Sequence, residues 1–324
     1  MLIPINVVYT HDDFDGLGSA AIFLHRFKAG QIVFSNPKRI SYEPIGEKDA
    51  VLDLPFGRRC ALWFDHHEQN FEEPRYHGLE PDSIPGLRMP AHSCARVILT
   101  FYEQSEMPFP AFFRELGQEI DRFDAMIFSS LAEWLEESPG KIITESLMLP
   151  NESVRDREIY YRLLIDRMLR HPLSDCVEDP QIRGRYLQKK KLNDSGREVL
   201  RKISGFHPSD RDRRLLILDF SNLKFQPTVD KKLALIDFPD VDYIMSIYPF
   251  IENRIKTNTI SVSIGRNFLK HAENGAVDWG EFFARKEIGG GHRDAAGARL
   301  ESKTKAEKDK QLEALTQEIL RLLP

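Results

Sequence analysis

The chain has 324 residues, 41% of them hydrophobic and 29% charged, with a formal net charge of −5 at pH 7. This length exceeds one typical core and fits two domains, and the composition supports folded cores throughout. A net acidic chain excludes a protein that grips long duplex nucleic acid by bulk charge, but leaves room for a local basic site that holds a phosphate ester.

No apolar run approaches the roughly 20 residues needed to span a bilayer, so no membrane partner is expected. Cys60, Cys94 and Cys176 are odd in number, widely spaced and without a metal-ligand pattern. They read as reduced thiols in a cytoplasmic protein. No basic leader precedes Asp12, so no signal peptide is expected.

In chain order, residues 3–9 read as a buried strand that delivers its end to an acidic pentad, His11-Asp12-Asp13-Phe14-Asp15. Gly16 to Gly30 follows a helical pattern, with Ala20, Ala21, Leu24 and Phe27 on one face. Residues 31–34, Ala50 to Leu54 and Ala61 to Phe64 read as further strands, the last two ending at Asp53 and Asp65. Strand–helix–strand alternation predicts an α/β domain with a parallel sheet, whose ligands bind outside the carboxyl ends of the strands. Residues 68–92 read as a loop, and Ser93 to Phe101 and Phe109 to Asp124 as helices. Residues 125–200 are mostly helical and charged, with Ile159, Leu163, Leu164 and Met168 at helical spacing. From Arg213 the pattern changes. Residues 214–220, 241–248 and 259–264 are β-like, 289–297 are Gly-rich, and 305–323 form an amphipathic helix with Leu312, Leu315, Ile319 and Leu322 inward. That helix can pack on its own domain or on a partner, so a homodimer is among the expectations. The expected organisation is a metal-binding domain at 1–125, a helical extension and connector at 126–205, and a smaller α/β substrate-binding domain at 206–324, with a cleft between the two α/β domains.

Carboxylates crowded into the pentad repel one another unless something positive lies among them. Alternate side chains of an extended segment point the same way, so His11, Asp13 and Asp15 can aim at one space. One of these acids could instead simply cap the helix that follows. Asp53 and the run Asp65-His66-His67 end neighbouring strands. Adjacent histidines can divide the work, one ligating metal and the other binding or protonating substrate, while a preceding carboxylate orients an imidazole. Another carboxylate is available at Asp121 or Asp124; Asp121 is favoured because it directly follows the apolar part of its helix. His11, Asp13, Asp15, Asp53, His66 and one of Asp121 or Asp124 make an inventory for two divalent cations. Oxygen-rich ligands with one or two imidazoles suit Mn, Mg or Fe better than structural zinc. Farther on, Gly289, Gly290 and Gly291 can bring backbone N–H groups close to phosphate, with His292 and Arg266 as added donors or cations.

Taken together these residues resemble the DHH phosphoesterase superfamily. THDDFDGLGSAA matches its first motif, VLDLP its second, Asp65-His66-His67 the motif that names it, IDRFD its fourth, and GGGHRDAAG the signature of the associated C-terminal domain. The first motif is spaced H-x-D-x-D, closer to exonuclease-like and polyphosphatase-like members than to those acting on very short oligonucleotides. The resemblance implies a phosphohydrolase using two Mn2+ ions, with Mg2+ or Co2+ as substitutes. It implies that His11, Asp13, Asp15, Asp53, His66 and the fourth-motif aspartate hold metal. It further implies that His67, with Asp65, meets the substrate phosphate as acid or contact, and that Arg266 with Gly289–His292 clamps the substrate. The leading expectation is hydrolysis of a phosphodiester in a small nucleotide or short single-stranded nucleic acid. Hydrolysis of polyphosphate, or a nucleotide-binding module without chemistry, are the alternatives.

Overall fold

The computed structural model describes residues 4–224, 227, 229–252, 255–270 and 277–323, so Ile3 of the first expected strand lies outside the described residues. The chain divides into two compact units, one of Met1–Phe128 with Trp134–Lys190, the other of Ser129–Glu133 with Lys191–Pro324.

The first unit is built on five parallel strands: β1 (Ile5–His11), β2 (Ala29–Ser35), β3 (Ala50–Leu52), β4 (Leu62–Asp65) and β5 (Gly86–Arg88), in the order β2-β1-β3-β4-β5. After β1 the chain builds β2 on one side and then β3 on the other. The carboxyl ends of β1 and β3 therefore flank the point where strand order reverses, where doubly wound sheets open a crevice. His11 ends β1 and Asp53 follows β3. Helix α1 (Phe14–Leu24) returns between β1 and β2 and is buried from Phe14 to Phe23. Its start needs glycine at position 16, because a Cβ there would meet the His11 carbonyl oxygen at 2.3 Å.

Helices α2 (Cys94–Gln104), α3 (Phe112–Asp124), α4 (Leu131–Leu135), α5 (Pro139–Ser146), α6 (Val154–Arg170), α7 (Leu173–Cys176) and α8 (Pro180–Ile203) follow. Ile142, Ile143, Tyr160, Tyr161, Leu164, Met168 and Tyr186 join the core formed by α1, α2 and the sheet. In α6 the inward stripe is Tyr160, Tyr161, Leu164, Ile165 and Met168, as expected for Leu164 and Met168, whereas Ile159 is 55% exposed.

The second unit carries a six-stranded sheet ordered β10-β11-β9-β8-β7-β6, from β6 (Ser204–Gly205), β7 (Leu215–Asp219), β8 (Tyr243–Glu252), β9 (Ile255–Arg266), β10 (Gly289–Gly291) and β11 (Ala295–Leu300). Only the β7–β8 pair is parallel. Helices α9 (Trp279–Arg285) and α10 (Lys305–Leu322) cover the face of Met245, Ile247, Val262 and Ile264, with Trp279, Phe283 and Ile319 in the core. At the C-terminal end of α10, Leu322 is turned to solvent and Leu323 packs on the core in its place. The mixed sheet covered by helices gives the second α/β architecture, so the chain is α/β throughout.

Candidate metal centre

Three loops at the carboxyl edge of the first sheet converge. Asp13 caps α1, its Oδ1 accepting from Gly16 N at 2.9 Å, while its other oxygen lies 2.7 Å from His11 Nδ1. Capping and metal ligation are therefore compatible in one side chain. Asp15 is fully buried and held by the N-terminus of α2. Its oxygens accept from Cys94 N at 2.6 Å, Ala95 N at 2.9 Å and Ser19 Oγ at 3.0 Å, the arrangement in which a helix N-terminus stabilises an anion.

Asp53 sits at φ +57°, a left-handed conformation that a non-glycine residue adopts at a cost, and one that Asp tolerates better than most. This aims its carboxylate inward. One oxygen lies 3.4 Å from His11 Nδ1 and the other 3.4 Å from His66 Nε2. His66 is fixed by its other nitrogen, 3.1 Å from the Ala91 carbonyl, which accepts from Nδ1 and leaves Nε2 as the ligand atom. Around His66 Nε2 stand oxygens of Asp53 at 3.4 Å, Asp124 at 3.6 Å and Asp15 at 3.7 Å.

These separations are too long for hydrogen bonds and suit ligand atoms sharing a cation, since donors held about 2.0–2.2 Å from a metal lie about 3 Å or more from one another. His66 Nε2 and Asp53 Oδ1 are both buried, and neither has a hydrogen-bond partner among the described residues. Buried polar atoms without partners are costly, and a cation between them removes the cost. The residues present therefore fit a divalent metal. Potential ligand sets are His11, Asp13 and Asp53 on one side, and Asp15, His66 and Asp124 on the other, with Asp53 and His66 also grouped with His67.

His67 has a different role from His66. Its Nδ1 is 2.8 Å from Asp65 Oδ1, which also accepts from the backbone N–H of His66 and His67, and Asn70 Nδ2 donates to Asp65 Oδ2 at 2.7 Å. With both oxygens occupied, Asp65 fixes the His67 ring, which remains half-exposed. Asn70 was not recognisable in the sequence, where it is one polar residue in a polar loop.

The fourth-motif helix resolves the two aspartates. Asp121 is turned away from the cluster: its Oδ2 accepts from Arg96 Nε at 2.9 Å and Nη2 at 2.6 Å, and its Oδ1 from Ser93 Oγ at 2.5 Å. Asp124, three residues on, faces His66. The structure therefore brings Asp124, and not the favoured Asp121, to His66, because the apolar stripe of the helix turns Asp121 toward Arg96.

Protonation follows from the crowding. Burial disfavours the charged form of His11, but the carboxylates of Asp13 and Asp53 beside it push it up to about 11. His66 is likewise pushed up to about 10, burial being outweighed by Asp53 and Asp15. Burial and the neighbouring Asp53 lift Asp124 to about 7. Burial lifts Asp15 well above the carboxylate range, with Asp53 and Asp124 adding to it. Burial of Asp53 is more than offset by His11 and His66, which hold its carboxyl low. Burial also opposes charge on His67, and Asp65 outweighs it.

Folding without metal therefore takes up protons. For the two histidines the resulting stabilisation is complete below the unfolded value near 6.5 and is lost as pH rises through about 10 to 11. Metal replaces these protons. The melting temperature of the metal-free protein is expected to fall between pH 7 and pH 10 while that of the Mn2+-loaded protein stays nearly level. Calorimetric titration of Mn2+ in buffers of different ionisation enthalpy should show release of at least two protons per chain, since Asp15 and Asp124 add to the two histidines. A buffer-independent heat would mean that the cluster is already deprotonated.

In the second unit, Arg266 Nη2 lies 2.7 Å from Asp294 Oδ1 and its guanidinium 5.5 Å from the Tyr243 ring, so the expected clamp is packed and ion-paired. Gly289, Gly290 and Gly291 form β10, the edge strand, paired with Ala298, Gly297 and Ala296. His292 is exposed in the turn beyond, where its N–H donates to the Ala295 carbonyl at 2.8 Å.

No protein-family model and no curated relative matches the chain. Solved structures do. It is similar to a pGpG-specific phosphodiesterase, PggH, from Vibrio cholerae, with a TM-score of 0.73 and 20% identity over 97% of this chain and 98% of that one. A DHH domain from a protein described as a member of a family of ribosomal proteins gives a TM-score of 0.60 at 13% identity, covering 99% and 88%. RecJ from Thermus thermophilus, solved in complex with Mn2+, gives 0.50 at 12% identity, covering 98% of this chain and 52% of that one. The chain shares the fold of these proteins.

Proposed function

We propose that this protein is a DHH-type phosphodiesterase that hydrolyses short oligonucleotides with two divalent cations, preferentially Mn2+. The observation that carries this reading is the pair of buried, unpartnered ligand atoms, Asp53 Oδ1 and His66 Nε2, facing each other within a ring of carboxylates. His11, Asp13 and Asp53 would hold one ion and Asp15, Asp53, His66 and Asp124 the other, with Asp53 shared. The bound pair would lower the pKa of a water between them and neutralise charge developing on the phosphoryl oxygens.

The protein's own contributions are positional. The N-terminus of α2 pins Asp15, the Ala91 carbonyl sets the His66 tautomer, and the strained backbone at Asp53 aims its carboxylate. Asp65 occupies His67 Nδ1, so Nε2 is the nitrogen available to hold a phosphoryl oxygen or to give a proton to the leaving oxygen. Residues 1–125 supply the metal ligands in this reading. Residues 206–324, with Arg266 and Gly289–His292, bind the rest of the substrate. Manganese is supported by the donor set, which is rich in oxygen with two imidazoles, and by the Mn2+ in the RecJ structure. Three free cysteines support a reducing cytoplasm, and no helix among the described residues is long and apolar enough to cross a membrane.

A dinucleotide substrate is supported by the likeness to the pGpG-specific enzyme along nearly the whole of both chains. The test is a panel with Mn2+: a 5′-phosphorylated guanylyl dinucleotide, a longer single-stranded oligomer, a 3′,5′-bisphosphate nucleotide and polyphosphate. Fastest release of mononucleotide from the dinucleotide, abolished by EDTA and in His66→Ala, is the expected result. Turnover of polyphosphate alone would move the reading to phosphoanhydrides, and turnover undiminished in His66→Ala would remove the metal centre from the chemistry.

A further inference from the structure

Helix α5 lies outside every motif that marks the metal ligands, yet it reaches them. Its entry is built for close packing on α3. Ser138 caps it by accepting from Lys141 N at 3.2 Å, and Gly140 N donates to Glu119 Oε2 at 3.0 Å. A Cβ at position 140 would stand 2.7 Å from the Phe123 ring, so only glycine allows this approach. Ile142, Ile143 and Leu147 then anchor α5 in the core, and Tyr160 donates to Ser146 Oγ at 2.5 Å.

The face left over presents Thr144. A helical threonine usually returns its hydroxyl to a carbonyl one turn back. Thr144 Oγ1 does not: it is buried and has no hydrogen-bond partner among the described residues. It lines a cavity of about 130 Å³ whose other walls are Asp13, Asp15 and Asp124, with Phe14 of α1 and Ile120 and Phe123 of α3. A water takes about 30 Å³, so the cavity has room for a few, and its polar walls supply their partners.

We infer that Thr144 is a positioning residue of the metal centre: its hydroxyl donates to a water in this cavity, and that water donates to the Asp124 carboxylate and holds it toward His66. The inference rests on the metal-centre reading above and adds a residue from the helical segment to it. Partners of metal ligands at this remove change metal affinity by roughly 10- to 100-fold when lost.

Thr144→Val keeps the shape and removes the hydroxyl, while Thr144→Ser keeps the hydroxyl. Mn2+ affinity of the full-length protein is measured by calorimetry, with the melting temperature of the metal-free form alongside. The expected result is about tenfold weaker binding at one of the two sites in Thr144→Val, near-native binding in Thr144→Ser, and a metal-free melting temperature in Thr144→Val no lower than that of the parent. Unchanged Mn2+ affinity in Thr144→Val overturns the inference, as does an equal loss in Thr144→Ser. His66→Ala separates the two levels. If it loses Mn2+ while Thr144→Val does not, only the role of Thr144 fails; if His66→Ala binds Mn2+ normally, the metal centre fails with it.

Discussion

Asp53→Asn is expected to fold and to lose at least about a thousandfold in phosphodiester turnover, because the shared ligand supplies several kcal/mol of charge stabilisation and each 1.36 kcal/mol is tenfold in rate. Asparagine tolerates the left-handed backbone at this position nearly as well as aspartate, so the φ of +57° does not confound the result. Asp53→Ala would add backbone strain to the lost ligand and is the poorer probe. In the metal-free variant His11 and His66 lose the carboxylate that holds their protons, so their titration should move down toward ordinary imidazole values. Turnover within tenfold of the parent, measured at saturating Mn2+, would show that Asp53 is not shared between ions.

The second large effect is a contrast within α3. Asp121→Ala should lower the melting temperature while leaving Mn2+ binding and turnover largely intact. It breaks a mostly buried pair with Arg96 and releases Ser93, the cap of α2, for a cost of about 2–3 kcal/mol once the partial exposure of Arg96 is discounted. Asp124→Asn should do the reverse. It removes a carboxylate that burial and Asp53 already disfavour, so the metal-free protein should melt no lower than the parent, and it withdraws a metal ligand, so turnover should collapse. Thermal unfolding and Mn2+ titration of the two variants side by side distinguish the roles. Loss of metal from Asp121→Ala with Asp124→Asn active would reverse the two assignments.

That contrast also shows where the sequence stops informing. Strand ends were readable because apolar runs stop at His11, Asp53 and Asp65, and strand–helix alternation implies a parallel sheet with its ligands there. The alternation expected of an extended pentad does not hold: β1 stops at His11, Asp13 caps α1 and Asp15 lies in its first turn, so the acids converge through a strand-to-helix turn. The sequence of strand β5 reads as loop, because three half-buried residues after a proline-rich stretch carry no periodicity. Asp121 and Asp124 differ in what lies across from them, and the partner of Asp121 is Arg96, 25 positions away. Nothing in the spacing of IDRFD encodes that pairing. Asn70 is hidden for a different reason, since its bond to Asp65 depends on the turn geometry after β4, which polar spacing alone does not reveal. The GGG run suggested a flexible cradle, but its pairing with Ala296–Ala298 makes it an edge strand, because glycine permits both and the partner strand decides.

The proposed chemistry depends on a pair of divalent cations sharing Asp53. Electron paramagnetic resonance of the protein titrated with Mn2+, with bound metal counted in the same samples, tests it most directly. Ions sharing a carboxylate lie about 3.5–4 Å apart and couple magnetically. The predicted result is two Mn2+ per chain and an exchange-coupled signal at saturation that Asp53→Asn abolishes. Saturation at one Mn2+ per chain with an isolated-ion spectrum, or a coupled signal that survives in Asp53→Asn, would contradict the account.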